Sequence, residues 1–321
     1  MKIFVDTTPL RYTFSGIQVF IVNLVDELKR KGLKVIEIKK PFLRLIFEKG
    51  DIYLGPDGRV PSFKNFKLLT TMIHDLCFEI YPKLFPPKAI KISRKKIKKA
   101  LYYSDIVFVP SKFTKESIIK FYGFKDKIEV IYPGVKKIEN LKKVNNIGEN
   151  FFLFVGVIQK RKNLVNLVRA FKELNLKNHH LLLAGKEGFG YEEVEKEIDN
   201  KTSFWLRKTF DQSEIFYLYK KCTALVFPSF CEGFGLPVLE AISLKKPVIA
   251  SPLSVFKEYL GENLFYLNGF DKEDIKEGII KFLDEKRENI EIKINRAYEI
   301  VKSFTWENTA LNMIKKWRER I

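Results

Sequence analysis

The sequence predicts an α/β protein of two Rossmann-like βαβ domains, each a parallel sheet wrapped by helices. Three observations carry that expectation. Short apolar runs alternate with longer amphipathic runs along the chain. A polar, lysine- and asparagine-rich stretch at 136–150 divides the alternation into two series. In the second series a strand, a loop with two glycines and a helix follow one another directly across 224–244. Regular alternation of strand and helix leads to parallel strands joined by helical crossovers that cover both faces of a sheet.

The first strand reads at 2–6. A helix follows at 17–31, because Phe20, Ile21, Leu24 and Leu28 recur at three- and four-residue steps. Further strands read at 35–38, 68–73 and 106–109. Between the last two, from Lys88 to Tyr103, lies a strongly basic helix. Ser111 precedes another amphipathic run, and a serine there can accept an orphan N–H of the first helical turn. A strand at 128–131 closes the series at Tyr132-Pro133-Gly134. The second series opens at 151–155, an unbroken apolar run suited to a strand covered on both faces. Helices read at 164–174, 191–198, 212–221 and 236–244, and strands at 181–184, 224–227 and 248–250. The expected domains are 1–140 and 141–321, with a final helix near 305–321.

With 321 residues the chain can bury two separate cores, and its 46% apolar share is that of a globular protein. No apolar stretch reaches the roughly 18 residues of a membrane-spanning helix. The start, Met1 to Asp6, is too short and too acidic at its end for a signal peptide. The expected location is the cytoplasm. Cys77, Cys222 and Cys231 form no CxxC pair, so no zinc site follows from them. A net charge of +19 favours contact with an anionic surface, substrate or nucleic acid, but base composition or heat adaptation can account for much of the lysine excess, so charge alone decides nothing.

Several function classes can be set aside. Thr7-Thr8-Pro9-Leu10 follows the first strand where a dinucleotide-binding oxidoreductase needs GxGxxG. Gly185-Lys186 is followed by Glu187, not by the Ser or Thr of a Walker loop. The aromatic residues fall at core-like positions rather than on an RNA-binding strand, so nucleic acid is not an expected partner.

The most informative segment runs from Phe227 to Ala241. A strand ends at Phe227, glycines follow at 233 and 235, and a helix starts near Pro237. Glycine lets a ligand approach the backbone. The unsatisfied N–H groups of a helix start favour an anion such as a diphosphate. Glu232 in the loop and Glu240 in the first helical turn bracket this element, and carboxylates accept from sugar and ribose hydroxyls. Singly, Glu240 reads as a carboxylate stabilising the helix dipole and Glu232 as a solvated loop residue. Together they match the needs of a nucleotide sugar.

The E-x7-E element, EGFGLPVLEA from Glu232, resembles the signature of the retaining glycosyltransferases of family four (group 1). Other segments resemble the same family in the same order: Asp6 to Leu10 with Gly16-Ile17, His74-Asp75-Leu76, Pro110 to Thr114, Tyr132 to Val135, Gly156 with Arg161-Lys162-Asn163, Ala184-Gly185, and Phe304 to Glu307. The resemblance covers nearly the whole chain. It implies the GT-B fold, in which two Rossmann-like domains face each other across a cleft, with the C-terminal helix packing back toward the N-terminal, acceptor-side domain.

By the same resemblance, Arg161 and Lys162 hold the donor diphosphate and stabilise the departing charge, and no metal is expected. Glu232 contacts hydroxyls of the transferred sugar. The backbone of Gly233, Phe234, Gly235 and Leu236 meets sugar and phosphate, and Glu240 holds the ribose. His74 lies near the transferred sugar, and Gly16 belongs to the amino-terminal glycine loop. No cofactor is required beyond the nucleotide-sugar donor. GDP-mannose is preferred because the R-K-N subgroup includes many mannosyltransferases, and a UDP-sugar stays open. The acceptor is a glycan or a lipid-linked glycan, and the basic helix from Lys88 to Tyr103 either docks on an anionic membrane or is simply a solvated lysine face. Alternatives are an inactive nucleotide-sugar-binding relative and a GT-B epimerase or phosphorylase. The chain departs from the family pattern at Val157, where many members have arginine, at Gly16-Ile17-Gln18, where many have G-x-G, and at Lys245, which replaces a glycine.

Overall fold

A computed structural model describes residues 1–11, 16–39, 48–63, 65–136 and 138–321; residue 137 of the polar stretch lies outside them. The chain forms two compact units, Met1–Lys136 together with Phe304–Ile321, and Lys137–Ser303.

In the first unit six strands make one parallel sheet: β1 (Lys2–Asp6), β2 (Lys34–Ile38), β3 (Gly50–Gly55), β4 (Phe66–Met72), β5 (Ile106–Val109) and β6 (Ile128–Val130), in the order β2-β1-β3-β4-β5-β6. Its helices are α1 (Gly16–Arg30), α2 (Cys77–Ile80), α3 (Pro87–Tyr103) and α4 (Lys112–Tyr122). The Ser111 side chain caps α4 by accepting from the Thr114 N–H, and Gly123 ends it in the left-handed region at φ 68°.

The second unit is also a six-stranded parallel sheet: β7 (Phe151–Val155), β8 (His180–Ala184), β9 (Ser203–Leu206), β10 (Ala224–Phe227), β11 (Val248–Ala250) and β12 (Phe265–Tyr266), in the order β12-β11-β10-β7-β8-β9. Around it lie α5 (Leu164–Leu174), α6 (Tyr191–Glu195), α7 (Gln212–Lys221), α8 (Leu236–Ser243), α9 (Ser254–Leu260), α10 (Lys272–Leu283) and α11 (Arg287–Val301). Every residue of β7 is buried, and Phe154 stacks on Phe227 of β10 with ring centroids 5.7 Å apart. Asp211 and Asp271 close capping boxes at the starts of α7 and α10.

The last helix, α12 (Trp306–Arg318), belongs to the first unit. Trp306 meets Phe20 of α1 edge-on at 5.6 Å, and Trp317 meets Phe108 of β5 at 6.2 Å. The Thr309 hydroxyl donates to the Tyr132 carbonyl at 2.9 Å.

Three strands, β3, β9 and β12, escape the sequence reading. Glycines bound β3, β9 is four residues long, and β12 has only two. Lys245 sits at φ 55°, in the left-handed region where the family pattern has glycine, which costs roughly 1 kcal/mol relative to Gly.

Candidate active site

Strand order in the second sheet reverses between β7 and β10, which are neighbours although β8 and β9 separate them in sequence. The loops leaving two such strands diverge and open a crevice at their carboxyl ends, where open α/β sheets bind ligands. Arg161 and Lys162 stand on the loop after β7, and Glu232 on the loop after β10.

The first of these loops closes in a 3-10 turn, Lys160–Lys162, ended by Asn163 at φ 60°. The Asn163 amide donates to the Phe270 carbonyl at 2.7 Å and pins the turn to the domain. The two loops are also joined directly, since the Phe230 N–H donates to the Arg161 carbonyl at 2.9 Å.

Between the loops the charges are tightly paired. Lys162 Nζ lies 2.6 Å from Glu232 Oε1, and Arg161 Nη1 lies 3.2 Å from Glu232 Oε2. Arg161 also donates to the Cys231 carbonyl at 2.9 Å, and Lys162 sits 4.6 Å from the centroid of the Phe227 ring. Lys162 and Glu232 are each only 6% exposed, so the pairing takes place away from water. Burial alone would raise the Glu232 pKa; Lys162 and then Arg161 outweigh it and hold the carboxyl at about 2. Two cations against one carboxylate leave a positive remainder, which an incoming diphosphate can neutralise.

Glu240 has a different setting. The sequence reading puts it in the first helical turn, but α8 begins at Leu236, so Glu240 is its fifth residue and lies beyond the first turn. The helix-dipole explanation therefore does not apply, because that effect falls off within one turn. The Tyr219 hydroxyl donates to Glu240 Oε2 at 3.0 Å. With no cation beside it among the described residues, burial raises the carboxyl pKa to about 7 against the smaller pull of Tyr219.

Gly235 precedes α8 at φ 94°, and a Cβ there would lie 2.4 Å from Phe256 Cε1, so both backbone and packing require glycine. Phe234 is fixed by Tyr259, whose ring stacks on it at 5.0 Å and whose hydroxyl donates to the Phe234 carbonyl at 2.9 Å. The helix start offers fewer donors than its sequence suggests. Pro237 has no N–H, and those of Val238 and Leu239 turn back to the Gly235 carbonyl. Among the described residues, Leu236 is left as a first-turn donor available to an anion.

His74 and Gly16 lie on the first unit. Gly16 begins α1 and is exposed, and the residues just before it lie outside those described. His74 follows β4, half-buried, with Nε2 2.7 Å from the Pro56 carbonyl and its ring edge-on to Phe20 at 5.1 Å. Burial lowers its pKa. A carbonyl can only accept, so the neutral ring carries its proton on Nε2 and presents Nδ1 as an acceptor.

The structure thus brings Arg161, Lys162 and Glu232 into one cluster and gives Glu240 a separate partner. Tyr219 and Phe227 are contributors that sequence reading misses. Tyr219 lies on the buried face of α7 without any motif, and Phe227 reads only as the end of a strand. Among the described residues no three His, Cys, Asp or Glu side chains gather in a group able to hold a metal, and no helix is long and apolar enough to cross a membrane.

Comparison with known proteins places the sequence and the fold among glycosyltransferases. Residues 137–299 match the family described as Glycosyl transferases group 1, and residues 64–137 match Glycosyltransferase Family 4. The O-antigen chain mannosyltransferase RfbU of Salmonella typhimurium is 30% identical over 268 residues, covering 80% of this chain and 70% of that one. The O-antigen chain mannosyltransferase B of Escherichia coli is 25% identical over 284 residues, covering 83% and 74%. Among solved structures, sucrose-phosphate synthase from Thermosynechococcus elongatus aligns with a TM-score of 0.81 over 99% of this chain and 98% of that one, at 17% identity.

Proposed function

The chain belongs to the group 1 (family four) glycosyl transferases, and we propose that within this family it moves a mannosyl group from GDP-mannose to a glycan acceptor. It is a retaining glycosyltransferase by family. The two mannosyltransferase relatives support mannose as the sugar. A UDP-sugar is the alternative donor.

The observation that carries the reading is the Arg161–Lys162–Glu232 cluster at the point where the second sheet reverses. A diphosphate entering there meets two cations already held in place, which stabilise the negative charge growing on the leaving group. As phosphate oxygens engage the cations, Glu232 is free to accept hydroxyls of the transferred sugar. Before the donor enters, Lys162 and Arg161 keep it ionised against the cost of burial. The Leu236 N–H and the backbone from Gly233 to Gly235 add neutral contacts. Glu240 accepts from the ribose hydroxyls, and Tyr219 holds it in place.

The test is release of nucleoside diphosphate from GDP-mannose and from UDP-glucose, with and without a glycan-lipid extract, against a Lys162→Ala control. Release of GDP stimulated by the extract and lost in the control supports the reading. Release unaffected by Lys162→Ala refutes it.

The acceptor side is proposed to approach an anionic membrane through α3. At about 100° per residue, Lys88, Lys91, Ile92, Lys95, Lys98 and Tyr102 share one face of that helix, opposite buried Ile97, Ala100 and Leu101. Ile92 is 58% and Tyr102 74% exposed, so the lysine face also offers apolar groups for insertion. Arg94 and Lys96 are already engaged with Glu79 and Asp57. Vesicles rich in phosphatidylglycerol should sediment the protein, and replacing Lys88, Lys91 and Lys95 by Glu should abolish that. Equal sedimentation with neutral vesicles would contradict the proposal.

A further inference from the structure

A third cation stands at the carboxyl end of β8, and the donor site as described makes no use of it. Gly185 and Gly156 pack there backbone to backbone, since a Cβ on Gly185 would lie 1.9 Å from the Gly156 carbonyl oxygen. The loops leaving β7 and β8 then run together. The Ile158 N–H donates to the Lys186 carbonyl at 2.8 Å, the Gly188 N–H to the Ile158 carbonyl at 2.8 Å, and the Lys160 N–H to the Phe189 carbonyl at 2.9 Å. Lys186 is therefore fixed at its backbone beside the turn that holds Arg161 and Lys162.

Its side chain is another matter. Lys186 Nζ is shielded from water and has no hydrogen-bond partner among the described residues. Three carboxylates that follow it in sequence are held by other cations. Glu187 and Glu195 bind Arg207 at 2.9 and 2.8 Å, and Glu193 binds Lys160 at 2.6 Å. Arg207 in turn lies over the rings of Trp205 and Tyr191, 4.3 and 5.3 Å from their centroids. A shielded ammonium with no partner destabilises the protein that carries it, and burial accordingly lowers the Lys186 pKa. A lysine kept for the fold would have a counter-charge. One kept at a destabilising position beside a ligand crevice is explained by the ligand.

Position says which part of the ligand. The sheet order β10-β7-β8 places Lys186 two strand spacings, about 10 Å, from the Glu232 loop. With the diphosphate on the loops of β7 and β10, the nucleoside is the part of the donor long enough to reach β8. On the opposite side the loop after β11, Ser251-Pro252-Leu253, carries no charge.

We propose that Lys186 reads the base of the nucleotide donor, its ammonium donating to the ring carbonyl oxygen that guanine and uracil present where adenine and cytosine carry an amino group. The proposal rests on the nucleotide-sugar reading given above. The flexible four-carbon stem lets the ammonium swing from its shielded position onto the base. An amino group at the same place would oppose donor to donor.

Calorimetric titration of the full chain and of Lys186→Met with GDP, UDP, ADP and CDP tests it. The wild type should prefer GDP or UDP. Lys186→Met should lose about tenfold in affinity for the preferred nucleotide, stay within about twofold for ADP and CDP, and melt no lower than the wild type. A base preference unchanged by the substitution overturns the proposal. An equal loss with all four nucleotides also overturns it, because that would place the ammonium on phosphate. A wild type that binds none of the four overturns the nucleotide-sugar reading itself.

Discussion

Glu232 and Glu240 stand eight residues apart on the loop and helix after β10, and both are more than nine-tenths buried. Their surroundings move their acidities in opposite directions. Beside Glu232 two cations overcome the cost of burial and bring its pKa to about 2. Beside Glu240 there is one tyrosine hydroxyl, burial prevails, and its pKa rises to about 7. A tenfold change in acidity corresponds to about 1.4 kcal/mol, so each environment is worth on the order of 3 kcal/mol, with opposite signs. Glu232 is a permanently charged part of an ion cluster. Glu240 can gain or lose its proton near neutral pH, and its charge must be stabilised by what binds it.

The largest expected effect comes from breaking the cluster. Lys162→Ala leaves Glu232 buried with Arg161 alone. Transfer should fall at least about 1000-fold, and unfolding in urea should show a loss of about 3–5 kcal/mol. Turnover near wild type would mean that the cluster is only structural. Next is Glu232→Gln. The folded-state pKa of Glu232 lies below its unfolded value, so its contribution to stability is present above about pH 4.5 and disappears as pH falls toward 2. The variant should be less stable than wild type by about 3 kcal/mol at pH 7, with a flattened acid limb. Transfer should fall about 100-fold.

Glu240→Gln should have the opposite sign in stability. The folded-state pKa of Glu240 lies above its unfolded value, so wild-type stability falls as pH rises from about 4.5 through 7. Chemical denaturation at pH 8 should find the variant more stable by about 1–3 kcal/mol, with the gap narrowing at lower pH. Its affinity for the donor should nevertheless drop about tenfold, as calorimetry would report. A variant destabilised at pH 8 would contradict the acidity assigned to Glu240. The smallest effect belongs to Tyr219→Phe. Losing one hydrogen bond should cost about 1 kcal/mol and move the midpoint of the pH dependence of donor binding above 7.

The sequence makes much of this legible. The strand–glycine–helix run from Phe227 carries its own punctuation, and the R-K-N turn follows a strand too apolar to miss. Alternating runs announce parallel sheets, and both sheets are parallel throughout. What stays hidden is whatever depends on contacts distant in sequence. Glu232 meets Lys162 from 70 residues away, and Glu240 meets Tyr219 from 21. No spacing rule distinguishes the two glutamates, so an acid at about 2 and an acid at about 7 look alike in the chain. The placement of Glu240 beyond the first turn turns on whether α8 starts at Leu236 or Pro237, and proline suits the start of a helix at either of its first positions. Strands β3 and β12 are missed because bounding glycines and a length of two residues leave almost no periodicity to read.

The claim on which the account depends is that the Arg161–Lys162 turn receives the donor's diphosphate. A crystal structure with GDP-mannose or UDP bound tests it most directly. Phosphate oxygens should lie within about 3 Å of Lys162 Nζ and the Arg161 guanidinium, with the ribose hydroxyls on Glu240. A nucleotide bound elsewhere, with the Lys162–Glu232 pair undisturbed, would contradict it.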